Sequence, residues 1–216
     1  MRPPIQPRLV VVPCFTRGVR LAVPEGEALI EDLAVGDLVM TRDNGAQPIR
    51  WIGRRQLDAV DLRQHEHLRP IRIRKGALGA GVPVRDLLLS PQHRVLVRSH
   101  IAQNLFGTDE VLVAVKQLLQ VEGVDIALDV DAVEYFHILF DRHEVVLSDG
   151  ALTESLYLGQ MTREAIGPAA LDEIRTLFPE LFEDGAEPAA ARMLPSGRQA
   201  RKLAVRHVRN GKPLYA

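Results

Sequence analysis

The feature that most constrains this chain is a long succession of short apolar runs, each ended by Gly, Pro, Asp or Asn. Between residues 14 and 159 β-branched residues recur in these runs, and no long helical periodicity appears. Short β-branched runs bounded by turn residues are typical of strands. Strands are predicted at 19–22, 38–41, 47–52, 71–74, 94–98, 111–115 and 145–147. Many strands without alternating helices predict an all-β domain.

Turn chemistry supports the same interpretation. Asp43-Asn44-Gly45 is a strong hairpin signal, because Asn and Gly tolerate the positive φ of tight turns. Asp149-Gly150 and Glu25-Gly26 are weaker versions of it. Short helical turns are expected at 29–33 and 114–119.

Composition excludes several classes of function. The 216 residues carry a net charge of −1 and only 5% aromatic residues, which argues against nucleic acid as a partner. A single cysteine excludes an internal disulfide framework and a multi-cysteine zinc site. No apolar run approaches the length of a membrane span. The motif His65-Glu66-His67 has metal-binding residue types but charged, loop-like neighbours, so we expect neither a metal nor a cofactor.

The first thirteen residues, MRPPIQPRLVVVP, do not resemble a cleavable signal. Their apolar stretch is four residues long, and early prolines interrupt any helix. We therefore expect a cytoplasmic protein, while export by a non-classical route stays open. Residues 1–13 are interpreted as an N-terminal flank to a domain at 14–159.

Residues 160–216 differ in pattern and are interpreted as a helical tail. Helical spacing in 162–182 lies within an acidic stretch, and no acidic residue follows Glu187. A basic amphipathic helix is predicted at 198–208, with Leu203 and Val208 on one side. A solvated tail is the simplest interpretation. Binding to an acidic partner or a membrane surface is the alternative.

Chemistry is open to few side chains. Cys14 is a buried apolar residue by default, but it becomes a nucleophile if a base lies nearby. Ser90 and His93 are three residues apart at the start of a predicted strand, where both can reach one point. In an extended segment, residues an even number apart share a face, so three polar side chains would align if no turn intervenes at 141–142. These are His137, Asp141 and His143.

An ordered set of segments resembles the Hint domain of hedgehog autoprocessing domains and inteins, in its bacterial hedgehog/intein variety. The similarity covers residues 14–159. Its most specific parts are EDL-x-x-GD-x-V at 31–39 and SPQHR at 90–94. The other matching segments are CFTRG at 14–18, IRWIG at 49–53, and the stretches 106–113, 135–150 and 154–156.

The resemblance implies a horseshoe-like β fold and a self-cleaving reaction. In this family the opening cysteine attacks the preceding carbonyl, which here is that of Pro13, and converts the amide to a thioester by an N-to-S shift. His93 would donate to or polarise the amide, and Ser90 would hold the carbonyl or orient His93. His137 would activate Cys14. The matching positions also include a later family histidine, His143, and a possible orienting group, Asp141.

The expected outcome is cleavage at the N-terminal side without full splicing. Splicing needs an asparagine at the end of the domain, and no Asn occurs between Asn104 and Asn210. The substrate would be the chain's own N-terminal flank, and water, a thiol or an alcohol would accept the acyl group. Because Pro13 crowds its own carbonyl, we expect slow thioester formation. Two alternatives remain: an inactive Hint-like module for folding or interaction, and a cysteine hydrolase with an external substrate.

Overall fold

Two antiparallel sheets dominate the described part of the chain. The structure is a computed structural model that describes residues 13–159, 171, 172, 175 and 189–215. The first sheet has the order β11-β7-β8-β1-β12-β6. Its strands are β1 (Phe15–Thr16), β6 (Trp51–Leu57), β7 (Ile71–Ile73), β8 (Leu87–Leu89), β11 (Val124–Ile126) and β12 (Val133–Leu139).

The second sheet has the order β10-β9-β14-β13-β2-β3, and the β4–β5 hairpin joins it through β13. Its strands are β2 (Arg20–Val23), β3 (Gly26–Leu29), β4 (Leu38–Thr41), β5 (Gly45–Pro48), β9 (Arg94–Arg98), β10 (Glu110–Ala114), β13 (Val145–Ser148) and β14 (Ala151–Glu154). The all-β prediction is confirmed.

The helices are short, and side chains cap their first turns. Asp58 caps α1 (Ala59–Gln64), and Ser99 caps α2 (His100–Phe106). Ser196 caps α3 (Gly197–Arg209), the only helix of this length in the described residues. Single turns of 3-10 helix lie at Ile30–Asp32, Glu66–Leu68 and Val115–Gln117. The first and third of these turns confirm the helical turns predicted from the sequence.

The predicted hairpins form where the turn chemistry placed them. Asp149 and Gly150, with φ of 46° and 80°, join β13 to β14. Gly45, with φ of 65°, closes the β4–β5 hairpin. The run predicted as one strand at 47–52 is instead shared by β5 and β6, which belong to different sheets. The sequence signals were therefore reliable for turns and less so for strand limits.

The two sheets share one apolar core. Its main cluster includes Phe15, Leu89 and Phe136 from the first sheet and Val95 and Val146 from the second. Burial of each such side chain stabilises the fold by about 1.5–3 kcal/mol. This core holds β1, β8 and β12 in fixed positions.

The C-terminal residues pack on the second sheet, which corrects the expectation of a solvated tail for this segment. Leu203, Ala204 and Leu214 belong to the main core cluster. The helix prediction is confirmed by α3, but Val208 is 51% exposed and does not share the buried side with Leu203. The predicted helical pattern at 162–182 lies, apart from 171, 172 and 175, outside the described residues. Among the residues that are described, no helix has both the length and the apolar character that crossing a bilayer requires.

Candidate active site

Strand register brings three of the expected site residues to one point. Phe15 in β1 pairs with Leu89 of β8 on one side and with Phe136 of β12 on the other. Because both pairings are antiparallel, the residue before Phe15 meets the residues that follow Leu89 and Phe136. Cys14 therefore lies between Ser90 and His137.

His137 contacts both atoms that would react. Its Nδ1 lies 2.8 Å from the carbonyl oxygen of Pro13, and its Nε2 lies 3.5 Å from Sγ of Cys14. A carbonyl oxygen only accepts, so Nδ1 carries the hydrogen and Nε2 is left as an acceptor. The neutral ring thus donates to the carbonyl before Cys14 and offers a lone pair to the thiol.

The electrostatic setting keeps His137 neutral. Desolvation lowers its pKa to about 4, and the positive charge of Arg55 acts in the same direction, while the hydrogen bond with Pro13 opposes both. At neutral pH the ring is therefore a free base. A neutral imidazole is the form that can accept a proton from a thiol.

Cys14 is a buried thiol, only 4% exposed, within a small cluster that includes Leu57, Leu62 and Tyr135. Desolvation raises the pKa of this thiol well above its usual range, while hydrogen bonding from Ser90 and the charge of Arg55 act to lower it. A resting thiolate is therefore absent at neutral pH. The sulfur becomes a strong nucleophile only as its proton is removed.

Ser90 binds the nitrogen side of the peptide bond between residues 13 and 14. Its Oγ accepts a hydrogen bond of 2.9 Å from the backbone N–H of Cys14. Of the two roles expected for Ser90, holding the carbonyl does not match this geometry, because the hydrogen bond found at that oxygen comes from His137. The serine instead fixes the orientation of the peptide plane.

His93 is 1% exposed, and neither ring nitrogen has a hydrogen-bond partner. Its ring packs edge-on against Phe15, with centroids 4.5 Å apart. Desolvation lowers its pKa to about 4, while the charge of Glu154 and the backbone of Cys14 act to raise it. Burying two ring nitrogens without hydrogen-bond partners lowers the stability of the fold, and a buried polar group of this kind is often explained by a functional role.

Asp141 and His143 lie apart from this group. The chain bends at 141–142, so the shared face expected for 137, 141 and 143 does not form. Asp141 makes two hydrogen bonds to Arg50, at 2.9 and 2.8 Å, and therefore does not match the expected role of orienting a histidine. His143 instead contacts Glu154 and Ala191.

Two residues that the sequence reasoning did not single out flank His137. Gly53 pairs with it across β6 and β12, and the indole of Trp51 stacks beside it with centroids 6.4 Å apart. A Cβ on Gly53 would lie 2.2 Å from the indole of Trp51. The segment 49–53 was matched to the family, but neither residue had been given a role.

A third residue that was missed is Arg55. It follows Gly53 by two positions and pairs with Tyr135, so it shares the sheet face of His137. Its charge lowers the pKa of both Cys14 and His137. No sequence signal indicated this, because the effect depends on the pairing of β6 with β12.

The described residues contain no group of three His, Cys, Asp or Glu side chains arranged to hold a metal ion. What the site can do follows from its contacts: a thiol and a carbonyl of adjacent residues are bridged by one neutral imidazole. The amide nitrogen between them is held by a hydroxyl.

Comparison with known proteins adds the family. A model described as the Hint domain matches residues 13–160. Similar solved structures include the gp41-1 intein, with 12% identity and a TM-score of 0.42, covering 66% of this chain and 98% of the intein. A bacterial intein-like domain from Clostridium thermocellum has 13% identity and a TM-score of 0.43, covering 66% of this chain and 98% of that domain. None of the curated proteins matches the chain.

Proposed function

The chain belongs to the Hint domain family, and from this we propose that it processes itself at the peptide bond between Pro13 and Cys14. Cys14 attacks the carbonyl carbon of Pro13, and the amide becomes a thioester. The observation that carries the proposal is the double contact of His137, with Nδ1 at the carbonyl oxygen and Nε2 near the sulfur. One ring then serves the electrophile and the nucleophile together.

In the first step the S–C bond forms. The thiol proton moves to Nε2 of His137, and the carbonyl electron pair moves onto the oxygen of Pro13. The ring becomes an imidazolium, so its Nδ1–H donates more strongly to the oxygen on which negative charge develops. The buried site strengthens this interaction because water does not screen it. Nucleophile and carbonyl belong to adjacent residues, which removes the entropic cost of bringing them together.

In the second step the electron pair on the oxygen of Pro13 re-forms the C=O bond, the C–N bond breaks, and the electron pair of that bond goes to the nitrogen of Cys14. Ser90 holds the existing N–H of this nitrogen. His93, whose ring nitrogens are unpaired in the resting site, donates a hydrogen bond to the lone pair as it forms. As the C–N bond breaks, this nitrogen takes up the proton held by His137, which completes the neutral amine. The isomerisation neither consumes nor releases protons, because the nitrogen gains the proton that the sulfur loses.

The thioester is resolved by water or by a small thiol or alcohol, which releases the segment before Cys14. The substrate of the reaction is therefore the chain's own N-terminal flank. We propose cleavage without splicing because the matched region has no asparagine at its end. The next asparagine after the matched region is Asn210, which caps the C terminus of α3.

A cysteine hydrolase with an external substrate is the weaker candidate. The carbonyl of Pro13 already occupies the hydrogen-bond donor of His137, which is where an external acyl group would have to bind. An inactive module would retain the same fold without the reaction. Only an experiment can therefore separate the inactive module from a self-processing domain.

Intact-mass spectrometry of the purified chain tests the proposal. We expect a species that begins at Cys14, whose amount increases with dithiothreitol and which is absent from Cys14→Ala. Wild-type protein that keeps its full mass after prolonged incubation with thiol would refute self-processing and leave the inactive module. A full-mass protein that turns over added thioesters would instead favour the hydrolase.

A further inference from the structure

The C-terminal segment 189–215 is joined to the second sheet by backbone contacts. Met193 forms a parallel bridge with Val111, and Tyr215 forms one with Arg98. Between them α3 packs against α2 and β10. This segment lies beyond residue 160, where the family match ends. It is therefore an addition to the matched region that is nevertheless part of the same folded unit.

The first residues of this segment are held by charges as well. The guanidinium of Arg192 bonds the carboxylate of Asp43 at 2.8 and 3.0 Å and that of Glu110 at 2.7 Å. The same guanidinium donates a hydrogen bond of 2.7 Å to the carbonyl oxygen of Ala191. The anchored side chain of Arg192 therefore also holds the neighbouring Ala191.

The backbone N–H of Ala191 donates a hydrogen bond of 3.1 Å to Nδ1 of His143. A nitrogen that accepts carries no hydrogen, so in this arrangement the ring N–H of His143 is on Nε2. That nitrogen lies 3.3 Å from Oε2 of Glu154. The two lack the geometry of a hydrogen bond, so their attraction is that of an N–H dipole and a buried carboxylate.

Glu154 is fully buried and touches the start of β9. Its carboxylate accepts a hydrogen bond of 2.9 Å from the backbone N–H of Arg94 and is paired with the guanidinium of the same residue at 2.9 Å. Arg94 follows His93 directly. The charge of Glu154 raises the pKa of His93 and that of Arg94 lowers it. Glu154 thus acts on His93 electrostatically and also holds the backbone N–H of the next residue.

We propose that the C-terminal segment is a working part of the processing site. Through the N–H of Ala191 it fixes the tautomer of His143, which holds Glu154 against Arg94 and so positions His93. Ala191, His143 and Glu154 are positioning residues, since none of them touches the reacting atoms. This inference rests on the proposed function of His93, but the contact between Ala191 and His143 can be tested without it.

The sharpest variant is Ala191→Pro, which removes the donating N–H and also fixes φ at that position. Its matched control is Ala191→Gly, which keeps the N–H. We expect cleavage to slow by about ten- to a hundredfold in the proline variant, as for a small displacement of a catalytic group, and to be retained in the glycine variant. Nitrogen-15 spectra should show His143 protonated on Nε2 alone in wild type and in Ala191→Gly. In Ala191→Pro this single-tautomer pattern should be lost.

Recording these spectra in the Cys14→Ala background keeps the chain intact and separates the two ideas. If wild type fails to cleave, the proposed function falls, and a joint shift of the His143 and His93 signals in Ala191→Pro still supports the coupling. Unchanged spectra or an unchanged cleavage rate in a folded Ala191→Pro protein would overturn the inference. If that variant does not fold, His143→Gln and His143→Leu decide. Glutamine, whose amide N–H dipole can still face Glu154, should cleave faster than leucine, and equal rates would refute the coupling.

Discussion

Nδ1 of His137 donates a hydrogen bond to the carbonyl oxygen of Pro13 at 2.8 Å, although 124 positions separate the two residues. The pairing of β1 with β12 makes this contact, and the same ring places Nε2 near the sulfur of Cys14. The side chain of His137 can therefore act both as the base for the thiol of Cys14 and as the hydrogen-bond donor to the carbonyl of Pro13.

His137 variants should separate these two duties. We expect His137→Ala to lose cleavage by about 10²–10⁴-fold, the range for general base catalysis. His137→Asn retains an amide that can donate to the carbonyl of Pro13 but has no basic nitrogen. It should fall between wild type and alanine. Rates come from intact mass against time in dithiothreitol, and wild-type rates in both variants would remove His137 from the mechanism.

Ser90 should matter for stability as well as for rate. In Ser90→Ala the buried N–H of Cys14 loses its acceptor, which costs about 1–3 kcal/mol. Ser90→Thr keeps the hydroxyl and serves as the matched control. Urea unfolding of both variants in a Cys14→Ala background measures the difference. Equal stability of the alanine variant and wild type would mean that the N–H finds another acceptor.

Arg55 and its neighbour Arg54 form a matched pair on opposite faces of β6. The charge of Arg55 lowers the pKa of Cys14, so Arg55→Ala should make the thiol less reactive. Both arginines are exposed, so the effect is a surface one, about two- to fivefold. Iodoacetamide labelling of Cys14 measures it. Arg54→Ala should label at the wild-type rate, and an equal loss in both variants would point to net charge rather than position.

Folding stability should fall as the pH is lowered from about 6.5 to about 4. The pKa values of His93 and His137 are lowered from 6.5 to about 4, so the unfolded chain binds more protons than the folded one in this window. For the fully buried His93 the effect is on the order of 3 kcal/mol. Urea unfolding at several pH values measures it, and His93→Gln should show a shallower dependence. If the free energy of unfolding of the wild type did not change across this pH range, His93 and His137 would not be buried in their neutral form.

Gly53→Ala should displace the indole of Trp51, because the new Cβ would lie 2.2 Å from it. We expect a loss of about 1–3 kcal/mol, as for overpacking elsewhere, together with slower cleavage as His137 loses its neighbour. Adding Trp51→Phe removes the ring atoms that clash and should restore part of the stability. Thermal unfolding measures both. If the second change gives no recovery, the clash is not the cause.

The turns and strands could be predicted because their signals are local. Gly45, Asp149 and Gly150 adopt the positive φ that tight turns need, and the chain folds back there. The split of 47–52 between two sheets was missed, since the alternation of side chains does not tell which sheet receives a strand. Helices α1 and α2 are too short to show a period.

The site was predictable from the family resemblance and only partly from the residues. Cys14, Ser90, His93 and His137 converge, although they come from three separate parts of the sequence. The partners could not be predicted, because they depend on register and on competing charges. Asp141 is hydrogen-bonded to Arg50 and not to a histidine. Glu154 lies in a segment matched to the family, but nothing in the sequence indicates that it is buried.

The burial of the Cys14 nitrogen has a consequence for the direction of the reaction. Its hydrogen bond with Ser90 lies in the protein interior, where a newly formed ammonium would be poorly solvated. The freed amine would therefore stay uncharged and close to the thioester, where it can attack the acyl carbon and re-form the amide. The forward and reverse shifts would run as a shuttle, and the precursor would persist until an outside nucleophile gains entry. Access for that nucleophile, more than the chemistry of the shift, would then time the release.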